Sequence, residues 1–162
     1  MATSTEKEAF ENSFIGKQAD DLGQLISEQI KPVYQSLGIV VPVKSCSVVH
    51  YLGKQGQCTV TEIAKGLSQS HQLVKQKLPR LLKLGLIDLS NDPNDKRRVL
   101  YHLTDLGSRQ SDLLTQHSMF QVYANLSNEI NADLYQILTA AIEGLRNKDL
   151  FSRFTEINQN NP

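Results

Sequence analysis

The stretch TVTEIAKGLSQSHQLVKQKLPRLLKLG, residues 59–85, decides how this chain folds. Thr59 and Glu62 have the spacing of a capping box, in which the threonine hydroxyl accepts from the Glu62 amide and the carboxylate accepts from the Thr59 amide. A helix is therefore predicted to begin after Thr59. Residues 66–70 (GLSQS) then break that helix, and Ser70 is the predicted N-cap of a second one.

The second helix has one apolar and one polar face. Its apolar side chains recur at helical spacing and predict a buried stripe of Val74, Leu78, Leu81 and Leu82. Gly85 suits the position just past a helix end. The opposite face is free of acids and carries Gln69, Gln72, Gln76 and Lys83, with His71 and Lys75 on one flank. Two short helices of this kind are typical of a helix-turn-helix, whose second helix enters the major groove of DNA.

Two strand-like runs follow. Residues 86–90 (LIDLS) and 98–103 (RVLYHL) are predicted strands, the second with alternating apolar positions. Between them lies NDPNDKR, residues 91–97. Pro93 fixes its own φ, and the flanking Asp and Asn side chains can bond the nearby backbone, which is turn chemistry. The sequence therefore predicts a β-hairpin, or wing, after the helix-turn-helix.

The wing and its surroundings resemble the MarR family of winged helix-turn-helix transcriptional regulators. The resemblance rests on DPNDKR at 92–97, LTDLG at 103–107 and the LLKLG helix end at 81–85, and it covers roughly residues 8–154. It implies a mainly α fold with a small β-hairpin wing (α+β). In such a fold a winged helix-turn-helix core is flanked by long N- and C-terminal dimerisation helices.

The expected organisation is a single chain-spanning domain, residues 1–162. Dimerisation helices are expected at 8–34 and 125–158, the DNA-binding lobe at 44–106 and a connecting helix at 104–124.

Apolar spacing predicts a first long helix from Glu8, which Pro32 stops. Ser45 is the predicted cap of a helix that ends at one of two glycines, Gly53 or Gly56.

In the C-terminal half, Thr104 is predicted to cap a long helix that continues through Phe120 and Val122. Residues 125–131 are rich in cap-forming side chains and predict a bend. One last helix, at 134–145, is expected after it.

The terminal helices hold more apolar surface than a winged-helix core of about 70 residues can cover. The residues concerned are Phe10, Phe14, Phe151, Phe154 and Ile157. They predict a second core, and the family resemblance implies that the first and last helices of two subunits interlock as a homodimer. A twofold dimer places two recognition helices one DNA turn apart, about 34 Å or 10 base pairs.

The candidate DNA-binding residues lie on the second helix and the wing: Ser70, His71, Gln72, Lys75, Gln76, Arg80, Asp95, Lys96, Arg97 and Arg98. Adenine accepts a bidentate glutamine, and phosphates attract lysine. The family resemblance implies that Arg97 enters the minor groove and that Asp95 orients it through a salt bridge. The alternative interpretation is an ordinary solvated helix face and a turn tip with solvated charges.

Two residues depart from the family pattern. Pro79 lies inside the recognition helix, where it deletes a backbone hydrogen bond and is expected to kink or shorten the helix and redirect its C-terminal half. Arg98 stands where a small residue is common after the wing arginine. It is expected to add a phosphate contact or to alter the path of the wing.

Composition narrows the class of protein. There are 17 basic and 17 acidic residues, so DNA binding requires a local basic face. No apolar run approaches the roughly 18 residues of a membrane span, and no signal peptide precedes the first charges at Glu6 and Lys7. A soluble cytoplasmic protein without a membrane partner is expected.

Neither metal nor enzyme chemistry is predicted. The four histidines show no i, i+4 pairing, and no catalytic or phosphate-binding motif is recognisable, so no cofactor is expected. Cys46 and Cys58 lack CxxC spacing and do not lie near the start of the first helix, where one peroxide-sensing branch of the family keeps its cysteine. Buried or inert thiols are favoured over oxidant sensors.

The favoured function is a homodimeric regulator on an inverted-repeat operator, acting as a repressor that a small molecule or oxidant relieves. The alternative is a winged-helix module that binds protein without specific DNA binding; the neutral charge and Pro79 favour it. The family resemblance places the inducer pocket between the dimerisation helices and the DNA-binding lobe. The candidate lining residues are Tyr34, His50, Tyr51 and Phe120.

Overall fold

The computed structural model describes residue 10 and residues 12–159, which form two compact units divided between His117 and Ser118. The first unit contains helices α1 (Ile15–Ser36), α2 (Cys46–Gln55), α3 (Val60–Gly66), α4 (His71–Lys83) and α5 (Asp105–Gln116). A 3-10 turn (Val43–Ser45) precedes α2, and strands β1 (Ile87–Asn91) and β2 (Val99–Leu103) separate α4 from α5. The second unit contains α6 (Phe120–Glu129), α7 (Leu134–Asn147) and α8 (Leu150–Gln159). The predicted helix start at Glu8 lies outside the described residues.

The predicted fold class is confirmed: the chain is mainly helical and carries an antiparallel hairpin. In its register Ile87 lies opposite Leu103. The backbone of Cys58 adds a third segment beside β2, because its amide and carbonyl exchange hydrogen bonds of 3.0 and 2.8 Å with Tyr101. The loop between α2 and α3 is thereby anchored to the base of the wing.

The core of the first unit lies between α2, α3, α4 and the hairpin. Its fully buried side chains are Val48, Val49, Leu52, Ile63, Val74, Leu81 and Leu86. The predicted stripe of α4 is confirmed at Val74, Leu78 and Leu81, whereas Leu82 is half-buried. Burial of this stripe decides which face of α4 is left in solvent.

Local capping signals produced the helix starts that the sequence predicts. The Thr59 hydroxyl accepts from the Glu62 amide at 3.2 Å, and the Glu62 carboxylate accepts from the Thr59 amide at 2.7 Å. The Ser70 hydroxyl caps α4, and the Thr104 hydroxyl caps α5. Ser45 precedes α2 as predicted, although its hydroxyl makes no capping hydrogen bond.

Gly85 ends α4 as predicted. Its φ is +65°, a left-handed conformation that glycine adopts without strain. The Gly85 amide donates to the Leu82 carbonyl, and the Leu86 amide donates to the Leu81 carbonyl. This is the Schellman pattern, which satisfies the last carbonyls of a helix.

Pro32 does not stop the first helix, contrary to the prediction: α1 continues through it to Ser36. A proline in a helix interior costs about 3 kcal/mol, because it lacks the amide donor and crowds the preceding turn. The turn after Pro32 offsets this cost, since Tyr34 and Leu37 pack against the buried core. The helix ends at Ser36, two residues before Gly38, whose φ is +69°.

The helix capped by Thr104 does not continue through Phe120 and Val122, contrary to the prediction. Helix α5 ends before His117, whose φ and ψ of −106° and 56° are not helical. The Ser118 hydroxyl accepts from the Phe120 amide at 3.2 Å, and such a local bond competes with helix continuation. Phe120 and Val122 therefore belong to α6.

The C-terminal turns also differ from the prediction. Helix α6 continues into the predicted bend at 125–131, and the chain turns at Asn131, whose φ is +52°. Asp133 caps α7. Two helices follow instead of one, because Asp149 accepts a hydrogen bond from the Ser152 amide at 2.7 Å and starts α8.

Candidate nucleic-acid interface

Helix α4 presents a polar, acid-free face to solvent. Its candidate contact residues are all exposed: Ser70, His71, Gln72, Lys75, Gln76 and Arg80. The Ser70 hydroxyl already accepts from the Leu73 amide at 3.1 Å, so its oxygen serves the helix start. The other five side chains project from the helix face opposite the buried stripe or from its flanks.

Gln69, at the start of the polar face, is engaged within the protein. The Lys77 ammonium donates to the Gln69 side-chain oxygen at 2.8 Å, and Gln69 is half-buried. Burial lowers the pKa of Lys77. Gln72 and Gln76 are thus the exposed amides of this face.

Pro79 neither ends nor shortens α4, which continues to Lys83. The proline is exposed, and Leu78 and Leu81 on either side of it are buried in one core. Both halves of the helix therefore rest on the same apolar surface.

The wing turn has the chemistry that its sequence predicts. The Asp92 carboxylate accepts from the Asn94 amide at 2.8 Å, which closes a turn around Pro93. Two backbone bonds close the wing further: the Asp92 amide donates to the Arg98 carbonyl and the Arg98 amide to the Asp95 carbonyl, at 3.0 and 2.9 Å.

The predicted pair of Asp95 and Arg97 is present at the wing tip. The Arg97 Nε lies 3.2 Å from Asp95 Oδ1, and Nη2 lies 3.5 Å from Oδ2. The hydrogen bond from the Arg97 side chain, together with that from its amide, lowers the pKa of Asp95. The Arg97 side chain is 91% exposed, so its guanidinium is oriented yet open to solvent. Lys96 beside it is also exposed.

Arg98 makes contacts that the sequence does not reveal. Its Nη2 lies 3.0 Å from Glu62 Oε1 and its Nη1 lies 3.4 Å from Asp92 Oδ2. Glu62 and Arg98 are 36 residues apart, and no local pattern signals their contact. Glu62, Asp92 and Arg98 are called the wing clasp below, because they join the start of α3 to the wing.

Glu62 therefore has two functions. Its Oε2 accepts from the amide and the hydroxyl of Thr59, at 2.7 and 2.9 Å, while its Oε1 faces Arg98. The Thr59 hydrogen bonds, and to a smaller extent the charge of Arg98, lower the pKa of Glu62. The carboxylate is thus held ionised between a helix start and a wing cation.

A cavity of about 540 Å³ lies between α1, the segment 39–45 and α4. Its polar lining includes four cations, Lys31, Lys44, Lys77 and Arg80, and no carboxylate of the described chain lines it. Tyr34 and the apolar residues of 39–43 complete the wall.

Of the candidate inducer residues, Tyr34 alone lines this cavity. His50 does not, and the Tyr51 hydroxyl donates to the Glu62 carbonyl at 3.3 Å. Phe120 belongs to the second unit, where it is exposed.

Neither cysteine lines this cavity, although the Cys46 sulfur lies 3.5 Å from the hydroxyl of Tyr34, which does. Cys58 is buried and Cys46 half-buried, and burial raises the pKa of both thiols. A raised pKa keeps a thiol protonated and weakens it as a nucleophile. Among the described residues, no three His, Cys, Asp or Glu side chains cluster as metal ligands would. Within the same part of the chain, no helix is both long and apolar enough for a membrane span.

The five candidate dimerisation residues are exposed in the single chain. Phe10 and Phe14 contact each other edge to face, with ring centroids 5.1 Å apart. In the second unit Phe151, Phe154 and Ile157 are each more than 60% exposed. Helix α7 leaves further apolar side chains in solvent: Tyr135, Ile137, Leu138, Ile142 and Leu145.

Comparison with known proteins agrees with this architecture. A family model described as the MarR family matches residues 41–98, which contain the helix-turn-helix and the wing up to Arg98. No curated protein matches the chain.

Several solved structures share the fold. Wild-type MarR from E. coli in its apo form is 22% identical, with a TM-score of 0.54 over 83% of this chain and 95% of its own. A MepR-like protein complexed with pseudoligands is 18% identical, with a TM-score of 0.61 over 82% and 92%. Overoxidized AbfR bound to DNA is 19% identical, with a TM-score of 0.53 over 80% and 98%. Residues 41–98 thus match the MarR family, and the chain shares the winged helix-turn-helix fold of these structures.

Proposed function

We propose that this protein is a homodimeric transcriptional regulator that binds an inverted-repeat DNA operator. The observation that carries the proposal is the pairing of two features within one lobe. An acid-free polar face of α4 is exposed, and the wing beside it presents Arg97, 91% exposed and oriented by Asp95. A helix and an arginine-tipped wing of this kind suit adjacent major and minor grooves.

The contact residues take different roles in this proposal. Gln72 and Gln76 read bases, because an amide can pair bidentately with adenine. Lys75, Arg80 and Lys96 neutralise phosphates, and Arg97 enters the minor groove, where negative potential is concentrated. His71 flanks the helix start.

The proposal of a dimer is based on the exposed apolar side chains near the two ends of the chain. Phe10, Phe14, Phe151, Phe154 and Ile157 are too exposed to stabilise a lone chain, whereas their burial in a second copy contributes about 1.5 to 3 kcal/mol each. A twofold axis between two copies presents two α4 helices to two half-sites.

We further propose that the protein is a repressor relieved by an anionic small molecule in the cavity beside α4. Four cations without a carboxylate favour a negatively charged ligand, and the apolar wall favours one with a hydrocarbon body. Arg80 and Gln76 line the cavity and also belong to the proposed DNA face. A ligand that engages them competes with DNA for the same side chains. An oxidant is the weaker candidate effector, because burial raises the pKa of both thiols.

Selection of random DNA duplexes by the purified full-length protein tests the function. The expected result is enrichment of an inverted repeat with half-sites about 10 base pairs apart, bound by two chains. Failure to enrich any sequence, at both low and moderate salt, would overturn specific DNA binding and favour the protein-binding alternative.

The proposed anionic inducer is tested by measuring whether a small molecule releases the protein from the selected duplex. Benzoate is expected to weaken binding, whereas benzamide, which has the same ring without the charge, is not. Lys31→Gln removes a cavity cation outside the proposed DNA face and is expected to reduce the response to benzoate at unchanged DNA affinity. Equal effects of benzoate and benzamide would contradict an anion site.

A further inference from the structure

We infer that Arg98 is a positioning residue of the wing, which it holds against α3 through Glu62, and that it is not a phosphate contact. The inference rests on the proposed DNA-binding function. It assigns different roles to two adjacent arginines: Arg97 contacts the DNA, and Arg98 holds the wing in position.

The geometry of the wing clasp carries this assignment. The guanidinium of Arg98 uses two nitrogens on two carboxylates, Glu62 at 3.0 Å and Asp92 at 3.4 Å. Because a guanidinium is planar, two such contacts fix its orientation as well as its position. Asp92 is only 9% exposed and also closes the wing turn at Asn94. The clasp thus joins a helix start to the turn that displays Arg97.

The neighbouring arginine differs in each respect. Arg97 pairs within the wing, with Asp95 two residues away, and its side chain is 91% exposed. The side chain of Arg98 is 46% exposed and reaches across to a residue 36 positions earlier. One guanidinium in contact with two carboxylates forms a cluster of net negative charge, which disfavours a phosphate beside it.

Glu62→Gln distinguishes the two roles by the sign of its effect. Glutamine also serves at this position of a capping box, so the start of α3 is retained. If Arg98 contacted phosphate, removing the acid that holds it would free the cation and strengthen DNA binding. If Arg98 positions the wing, the same change weakens operator binding, by about three- to five-fold.

The matched control is Asp88→Asn. Asp88 is an exposed acid on the same hairpin, and its carboxylate accepts from the adjacent Leu89 amide. The Asp88→Asn change removes one negative charge, as Glu62→Gln does, but leaves the wing clasp unaltered. The operator affinity of this variant is expected to stay unchanged or to rise slightly. A rise in both variants would overturn the positioning role.

Arg98→Gln supplies an independent measurement. Its operator affinity is expected to fall at least as far as that of Glu62→Gln, because it removes the contacts with both Glu62 and Asp92. The double variant is expected to bind no more weakly than Arg98→Gln alone, because the contact that Glu62→Gln removes is already lost. The slope of log affinity against log salt is expected to match wild type. A slope flatter by about 0.9 would show that Arg98 neutralises a phosphate and would overturn the inference.

Hydrogen exchange of the DNA-free protein separates this inference from the proposed function. Glu62→Gln and Arg98→Gln are expected to speed amide exchange in residues 92–98, while the α4 core keeps its protection. Unchanged wing exchange would overturn the inference whether or not the protein binds DNA. If the variants show faster wing exchange but the protein selects no duplex, the inference that Arg98 positions the wing would stand. Only the proposed DNA-binding function would be contradicted.

Discussion

A Cβ atom built on Gly107 would lie 1.9 Å from the carbonyl oxygen of Leu86. At this point α5 crosses the chain that leaves α4, and the Thr104 amide donates to the same carbonyl at 3.1 Å. The glycine of the LTDLG motif is therefore a steric requirement, because backbone meets backbone without room for a methyl group.

Gly107→Ala is expected to destabilise the protein by about 1 to 3 kcal/mol or more, since the clash involves backbone that cannot rotate away. Urea unfolding measures the effect. Gly23→Ala in α1 is the matched control: apart from the adjoining backbone of its own helix, nothing lies within 4 Å of its Cβ position, so the free energy of unfolding is expected to rise by up to about 1 kcal/mol. Equal stability of the two variants would contradict the contact.

Arg97→Ala is expected to weaken operator binding strongly and to leave the dimer and its thermal stability intact. A 91% exposed side chain contributes little to folding, and loss of a DNA-contacting cation flattens the salt slope by about 0.9. Asp95→Asn should weaken binding less, because the amide oxygen can still accept one hydrogen bond from Arg97. Operator affinity across a salt series checks both. An unchanged Arg97→Ala affinity would exclude the wing as a reader.

Gln72→Ala and Gln76→Ala are expected to lower the ratio of operator to random-DNA affinity, because a bidentate base contact discriminates by about 1 to 3 kcal/mol. Lys75→Ala should weaken both kinds of DNA alike. Competition binding with operator and scrambled duplexes measures the ratio. If neither glutamine variant changes it, specificity lies elsewhere on the surface.

Removal of residues 146–162 is expected to weaken dimerisation or cause aggregation, because it deletes Phe151, Phe154 and Ile157 from the proposed interface and leaves the exposed apolar side chains of α7 without that part of the partner surface. Sedimentation equilibrium measures the association. Phe154→Ala in the full chain tests the same surface without truncation, with the exposed polar Asn158→Ala as its control. A truncated protein that stays an intact dimer and binds its operator would exclude this face from the interface.

Stability should decrease in acid partly through Glu62. Its folded-state pKa lies below the ordinary value of 4.5, so its contribution is present above pH 4.5 and is lost as the pH falls through the lowered pKa. The carboxylate is half exposed, so we expect no more than about 1 kcal/mol. Unfolding of wild type and Glu62→Gln between pH 7 and pH 3 measures it. Their difference should shrink as the pH falls; a difference that is constant with pH would contradict the ionised clasp.

The sequence by itself determined the features that arise from residues within about five positions of one another. The capping box at Thr59, the cap at Ser70, the glycine end at Gly85 and the Asp92 turn are short-range hydrogen-bond patterns, and each formed as predicted. The pairing of Asp95 with Arg97 is equally local. Together these signals identify a winged helix-turn-helix, because the caps, the helix end and the turn chemistry all agree with the same order of helices and strands.

Only the tertiary structure decided the features that depend on distant packing. Burial after Pro32 outweighed the local cost of a proline and carried α1 to Ser36. The contact of Glu62 with Arg98 joins segments that the hairpin and the Cys58 bridge bring together. The cation-lined cavity forms because α1 and α4 both pack against the 3-10 turn at Val43–Ser45. Sequence spacing carries no information on such pairs, since their distance is set by how whole elements pack.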